Sequence, residues 1–193
     1  MIPSSQEILY RVFGAWRLAR FDAGGAQYFD DSPEAALRSF FAAALVAPAF
    51  FVTLLVIYPE APAIGPLPVI LIRFLAYVLL WSVFPVIAHR ICQVIGAEQA
   101  FFRYLAADNW AGVIAYHLQL VVLIAAAGGF LPVALSGLLQ LSVHIYLVAY
   151  SWFIARHCLA VSGPAAAGFV VLQLVIGLLI QAVASGIIYE TGG

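Results

Sequence analysis

The sequence predicts an all-α polytopic membrane bundle, five transmembrane helices preceded by an amphipathic interfacial helix, and three observations carry that expectation. The 193 residues are 65% hydrophobic and 9% charged, whereas soluble domains average roughly 45–50% and about 25%. Mean hydropathy is +1.07. Five stretches each run for roughly 18 or more apolar residues, enough at about 1.5 Å per residue to cross a hydrocarbon core of about 30 Å. Short turns rich in Gly and Pro separate the last three of them.

The chain divides into residues 1–30, a cytoplasmic amphipathic helix and Gly-containing linker, and residues 31–193, the five-helix domain. Ser4-Ser5-Gln6-Glu7 reads as a capping box, and Ile8, Leu9, Val12, Phe13, Trp16 and Ala19 then share one helical face. Such a helix is expected in the membrane interface, with Arg11, Trp16, Arg17 and Arg20 forming a lipid or partner surface. The other reading packs it on the protein's own cytoplasmic loops or on a partner. Glu7, Arg11, Arg17 and Arg20 interrupt any signal-peptide core, so the N-terminus is expected to stay on the mature protein.

Span one is expected over 35–58, opened by Asp31-Ser32-Pro33-Glu34, which supplies a cap, a proline that needs no amide partner and an acid on the helix dipole. Pro48 should kink it. Span two covers 67–88 and ends at His89-Arg90, with Pro85 near that end. Span three covers 109–127 with Asp108 as its cap, and 97–107 reads as a second short interfacial helix. Gly128-Gly129 and Pro132 turn the chain into span four, 131–155, and Ser162-Gly163-Pro164 opens span five, 164–189. Short turns make spans three to five antiparallel neighbours.

Basic residues are retained on the cytoplasmic side. With the N-terminus inside, Arg11, Arg17, Arg20, Arg38, Arg90, Arg103 and Arg156 are all cytoplasmic, so the C-terminus is expected outside. Arg73 is the exception, about six residues into span two. It either snorkels outward, toward Glu60, or faces a polar bundle interior. Cys92 and Cys158 fall at the cytoplasmic ends of spans, where thiols stay reduced, and no disulfide is expected.

Net charge is −1 and there is no basic face, which excludes a nucleic-acid binder. Intramembrane polar residues are the informative ones: Arg73, His117, Gln119, Gln140, His144, Gln173 and Gln181. Gln140 and His144 share a face at i,i+4, as do Gln173, Gly177 and Gln181. His117 and His144 lie roughly 12 and 16 Å from the cytoplasmic ends of their spans. Three readings stand: hydrogen-bonded glue between helices, a polar path for a small solute or proton, and axial ligation of a haem by the two histidines. No cofactor is the primary expectation. His89, Cys92, His157 and Cys158 are weak candidates for a tetrahedral zinc site, since adjacent residues on a helix point about 100° apart. Asp22, Asp30, Asp31 and Glu34 read as capping and solvation. No nucleophile with its base, carboxylate pair or phosphate loop is present, and an enzyme is not expected.

The layout over 34–189 resembles the Yip-type five-span family and its bacterial relatives. The residues that carry the resemblance are the Pro-containing first span, Phe101-Phe102-Arg103-Tyr104, and Ala155-Arg156-His157-Cys158-Leu159-Ala160-Val161-Ser162. It implies an accessory or scaffolding membrane protein without a cofactor, with partners on the cytoplasmic face. The aspartate- and glycine-containing signatures of eukaryotic members are missing, so Rab binding and site residues do not carry over. All eight basic residues are arginine and alanine is abundant, a composition of GC-rich bacterial genomes and hence of an inner membrane.

Overall fold

A computed structural model describes residues 3–57 and 64–190. Among them the chain is helical with short connections: α1 Ser5–Ala19, a 3-10 segment Ala23–Tyr28, α2 Pro33–Ser39, α3 Phe41–Ile57, α4 Pro66–Val94, α5 Glu98–Ala127, α6 Val133–Cys158 and α7 Gly163–Glu190. Five segments are long and apolar enough to cross a membrane, α2 with α3 counting as one from Pro33 to Ile57. Two of the expected caps form. Ser4 Oγ accepts from the Glu7 amide at 3.2 Å, and Ser32 Oγ accepts from the Ala35 amide at 3.2 Å. Gly96, at φ +73°, makes the left-handed step that ends α4 and starts α5.

Four helices close a ring in the order α4, α7, α6, α5, so that α5 and α7 face each other across its diagonal. The remaining helices, α1, α2 and α3, lie against α5, which α4 and α6 also touch, while the 3-10 segment packs on α1 and α6. The core gathers at the arginine-rich end, where Tyr104, Tyr150, Ile154, Cys92 and Cys158 are almost wholly buried. A smaller aromatic cluster of Phe50 and Tyr77 joins α3 to α4, and the Tyr77 hydroxyl donates to the Ala43 carbonyl.

Two sequence expectations need correction. The stretch 97–107 is not a separate interfacial helix but the first third of α5, which runs unbroken to Ala127. Asp108 is accordingly mid-helix and caps nothing. The reason is packing: Phe101, Tyr104, Leu105, Ala106 and Ala107 are buried, and ring closure holds as helix a stretch that hydropathy alone places outside the bilayer. Likewise α4 continues past the expected end at residue 88, through Val94.

The N-terminal helix is seated differently from its apolar stripe. Its buried side is Arg11, Gly14, Ala15, Leu18 and Ala19, while Leu9 (71% exposed), Phe13 and Trp16 face outward. Close approach explains the rotation. A Cβ on Gly14 would lie 2.3 Å from Tyr28 Cβ, so only glycine lets the 3-10 segment cross α1 there.

Candidate functional site

The N-terminal hairpin, α1 with the 3-10 segment Ala23–Tyr28 folded back on it, is fastened by polar contacts within itself and to the bundle. Buried Arg11 donates to the Tyr28 carbonyl and to Asp30 Oδ2. Arg38 reaches Glu7 at 3.2 Å, Arg103 reaches Asp31 at 2.9 Å, and Gln99 donates to the Asp31 carbonyl at 2.8 Å. The last turn of α1 leaves carbonyls unpaired, as every helix end does. Tyr146 of α6 satisfies the one at Ala19, donating at 2.6 Å, and Tyr150 donates to the Ala15 carbonyl one turn earlier at 2.7 Å. Phe21 then adopts φ +56°, and the Asp22 amide closes back on the Arg17 carbonyl at 3.0 Å. A left-handed phenylalanine is strained by roughly 1–2 kcal/mol, and its ring gains edge contacts with Tyr146 and Phe153.

What the hairpin leaves uncovered is an aromatic and cationic face. Leu9, Tyr10, Phe13, Trp16 and Phe21 are all exposed. The Arg20 guanidinium lies 4.7 Å over the Trp16 ring, and beside it Phe13, Trp16, Arg17, Arg20 and Asp22 line a notch of about 210 Å³. Of the four residues expected to form a lipid or partner surface, Trp16, Arg17 and Arg20 border this notch, and Arg11 is interior.

The Arg17 guanidinium, 2.6 Å from Asp22, holds that carboxyl below its ordinary value of 3.8, helped by the Gly24 amide. A depressed folded-state value makes the contact complete above about pH 4 and lost as pH falls through the lowered value. Amide exchange over Ala23–Tyr28, taken relative to the intrinsic rate at each pH, is therefore expected to lose protection below that range. Asp22→Asn should show the lost protection already at pH 7.

Inside the bundle the expected polar residues sort into separate pairings. Arg73 is 4% exposed and donates to Gln181 Oε1 at 3.2 Å and to Ser185 Oγ at 3.4 Å, tying α4 to α7. It faces the bundle, and Glu60, toward which it was expected to snorkel, lies outside the described residues. Gln173 crosses the ring diagonal to donate to Asp108 Oδ2 at 3.0 Å. One turn nearer the arginine-rich end, the Tyr104 and Phe169 rings meet across the same diagonal, 5.9 Å apart. Asn109 donates to Ser39 Oγ at 2.8 Å.

A third locus is lateral. Thr53 and Ile57 of α3, Gln119, Val122 and Leu123 of α5, and Gln140, Val143 and His144 of α6 line a crevice of about 150 Å³. His117 does not line it. The two histidines are not brought together there: each bonds its own helix, His117 Nδ1 to the Val113 carbonyl and His144 Nδ1 to the Gln140 carbonyl, both at 2.7 Å. His117 and Gln119 sit about 200° apart around α5, which turns them to opposite sides.

The residues considered for zinc are likewise dispersed. Cys92 and Cys158 are buried in the core, His89 packs on the Phe101 and Phe102 rings, and His157 packs on Phe153 at 4.2 Å. His89 Nε2 lies 3.5 Å from Glu98 Oε1, close enough for an ion pair but not aligned as a hydrogen bond. Among the described residues no three His, Cys, Asp or Glu side chains group as a metal site.

Sequence reading missed Asp108 and Asn109 as interior groups, and Tyr146 and Tyr150 as anchors of α1. The signal for the first two is in the spacing: Asp108 follows Phe101 by seven residues and Tyr104 by four, and Asn109 follows Leu105 by four, so both fall on the side that those buried residues define.

The fold and these loci define an all-helical, multi-pass integral membrane protein. No family model matches the chain, and neither a curated protein nor a solved structure matches it significantly.

Proposed function

We propose that this protein is a non-enzymatic membrane scaffold or accessory subunit whose N-terminal hairpin engages lipid and a protein partner. The observation that carries the reading is the exposed face Leu9, Phe13, Trp16 and Phe21, held on a hairpin that is itself rigidly fastened to the bundle. A mobile tail needs no such fastening; a docking surface does, because preorganisation lowers the entropy cost of binding. Arg20 over Trp16 and Arg156 over Trp152, 4.7 and 5.2 Å to the ring centroids, are suited to the headgroup layer. All seven arginines other than Arg73 belong to this end, which supports a cytoplasmic N-terminus and an external C-terminus in a bacterial inner membrane. The five-span layout of the Yip-type family supports the same accessory role.

The test is site-specific photocrosslinking in native membranes from positions 9, 13 and 16, with lipid-facing Val183 as control. Defined protein or phospholipid adducts at the first three positions, lost in a Leu9→Glu/Phe13→Glu variant, are the expected result. Labelling no different from position 183 would sink the reading.

A further inference from the structure

The lateral crevice places polar groups where a membrane offers them no partner. Counting from the nearer helix ends, Ala127 and Val133, Gln119, Gln140 and His144 sit roughly 12, 10 and 16 Å deep at about 1.5 Å per residue. A hydrocarbon core is about 30 Å thick, so these groups lie at the level of the acyl chains. Among the described residues neither the Gln119 nor the Gln140 side chain makes a hydrogen bond, and His144 commits only Nδ1. An amide without a partner in hydrocarbon is costly. Three such groups from two helices open into one hollow of about 150 Å³, walled by Ile57, Val122, Leu123 and Val143.

From this we infer that the crevice is a binding site for the neutral, oxygen-bearing ring of a membrane-dissolved quinone or quinol. The chemistry selects that class on four counts. No charged residue lines the hollow, so the ligand is neutral. With Nδ1–H donated to the Gln140 carbonyl, His144 Nε2 presents a lone pair, which accepts from a ring hydroxyl. Gln119 and Gln140 carry both donor and acceptor and serve a ring carbonyl or hydroxyl alike. Phospholipid headgroups sit in the interfacial layer outside this depth, whereas a ring on an apolar tail enters laterally from the core. A second copy of the chain is the other occupant of such a surface. Close helix approach in membranes needs small residues at the contact, and the rim here, apart from Thr53, is branched and bulky.

The experiment uses the full-length protein in lipid nanodiscs, titrated with decylubiquinone and, in parallel, with decanol. Wild type is expected to bind near one equivalent of the quinone and to gain roughly 5–10 °C in thermal midpoint at a hundredfold excess over the dissociation constant. Decanol is expected to give no shift. The Gln140→Leu/His144→Leu variant should keep or raise its unliganded midpoint, since it removes unpaired polar groups from hydrocarbon, and lose the quinone shift. Gln119→Leu should weaken binding roughly tenfold, the worth of about one hydrogen bond. The inference fails if wild type shows no shift, if decanol reproduces it, or if it survives in the double variant. It fails equally if the double variant's unliganded midpoint falls, which marks the side chains as interhelical glue, or if the variant converts a dimer to a monomer.

Discussion

Replacing Gly25 with alanine is expected to tear the 3-10 segment from α1. A Cβ at that position would lie 2.7 Å from the Gly14 carbonyl oxygen and 2.8 Å from the Leu18 amide nitrogen. These are backbone atoms of a helix whose Ala15 and Leu18 are 0% exposed, so the helix cannot retreat without opening the core. The 3-10 segment must move instead, and with it go the Tyr28 carbonyl and Asp30 that neutralise buried Arg11. Overpacking typically costs about 1–3 kcal/mol, and a buried cation stripped of its acceptors adds more. A total on the order of 4 kcal/mol is expected. The readout is tryptic cleavage at Arg11, Arg17 and Arg20 in otherwise folded protein, slow in wild type and fast in Gly25→Ala. Gly168→Ala is the control, because nothing lies within 4 Å of its Cβ and alanine favours the helix. Equal cleavage of wild type and Gly25→Ala would show that the close approach is not what fastens the hairpin.

Gln173→Leu is expected to destabilise the ring by roughly 2–3 kcal/mol, because it leaves the Asp108 carboxylate facing apolar side chains without its amide donor. Asp108→Leu/Gln173→Leu should recover most of that loss, since removing both members of a polar pair leaves nothing unsatisfied. Asp108→Asn should fall between, keeping an acceptor for the glutamine. Thermal melts of wild type, Asp108→Leu, Gln173→Leu and the double variant in one detergent close the cycle and measure the coupling. Simple additivity of the single changes would mean that the two side chains do not act as a pair across the diagonal.

The spans, their caps and the antiparallel order of the last three are legible in the sequence because each rests on local composition: an apolar run of membrane length, a serine before a proline, a Gly-Pro turn. The partnerships are not. Arg11 reads as a surface charge because its acceptors, the Tyr28 carbonyl and Asp30, belong to a segment whose position only folding decides. Asp108 reads as a cap because it borders an apolar run, and its partner is 65 residues further on. For Arg73 the sequence leaves snorkelling and a bundle-facing charge both open, because the helix that receives it, α7, is more than 100 residues distant. Hydropathy sees depth, and depth says nothing of which neighbour stands alongside. The same limit applies to His117 and His144, matched in depth yet turned to different sides.

The central position of α5 also orders the protein's birth. The helices α1, α2 and α3 all pack on α5, which the ribosome makes after them, and Tyr150 meets Ala15 across 135 residues of chain. Until α6 has been inserted, α1 lacks its tyrosine donors and the hairpin has no floor. α1 thus waits for a helix made much later before it reaches its final place, and a nascent chain stalled before α6 carries an uncovered aromatic helix at the membrane surface.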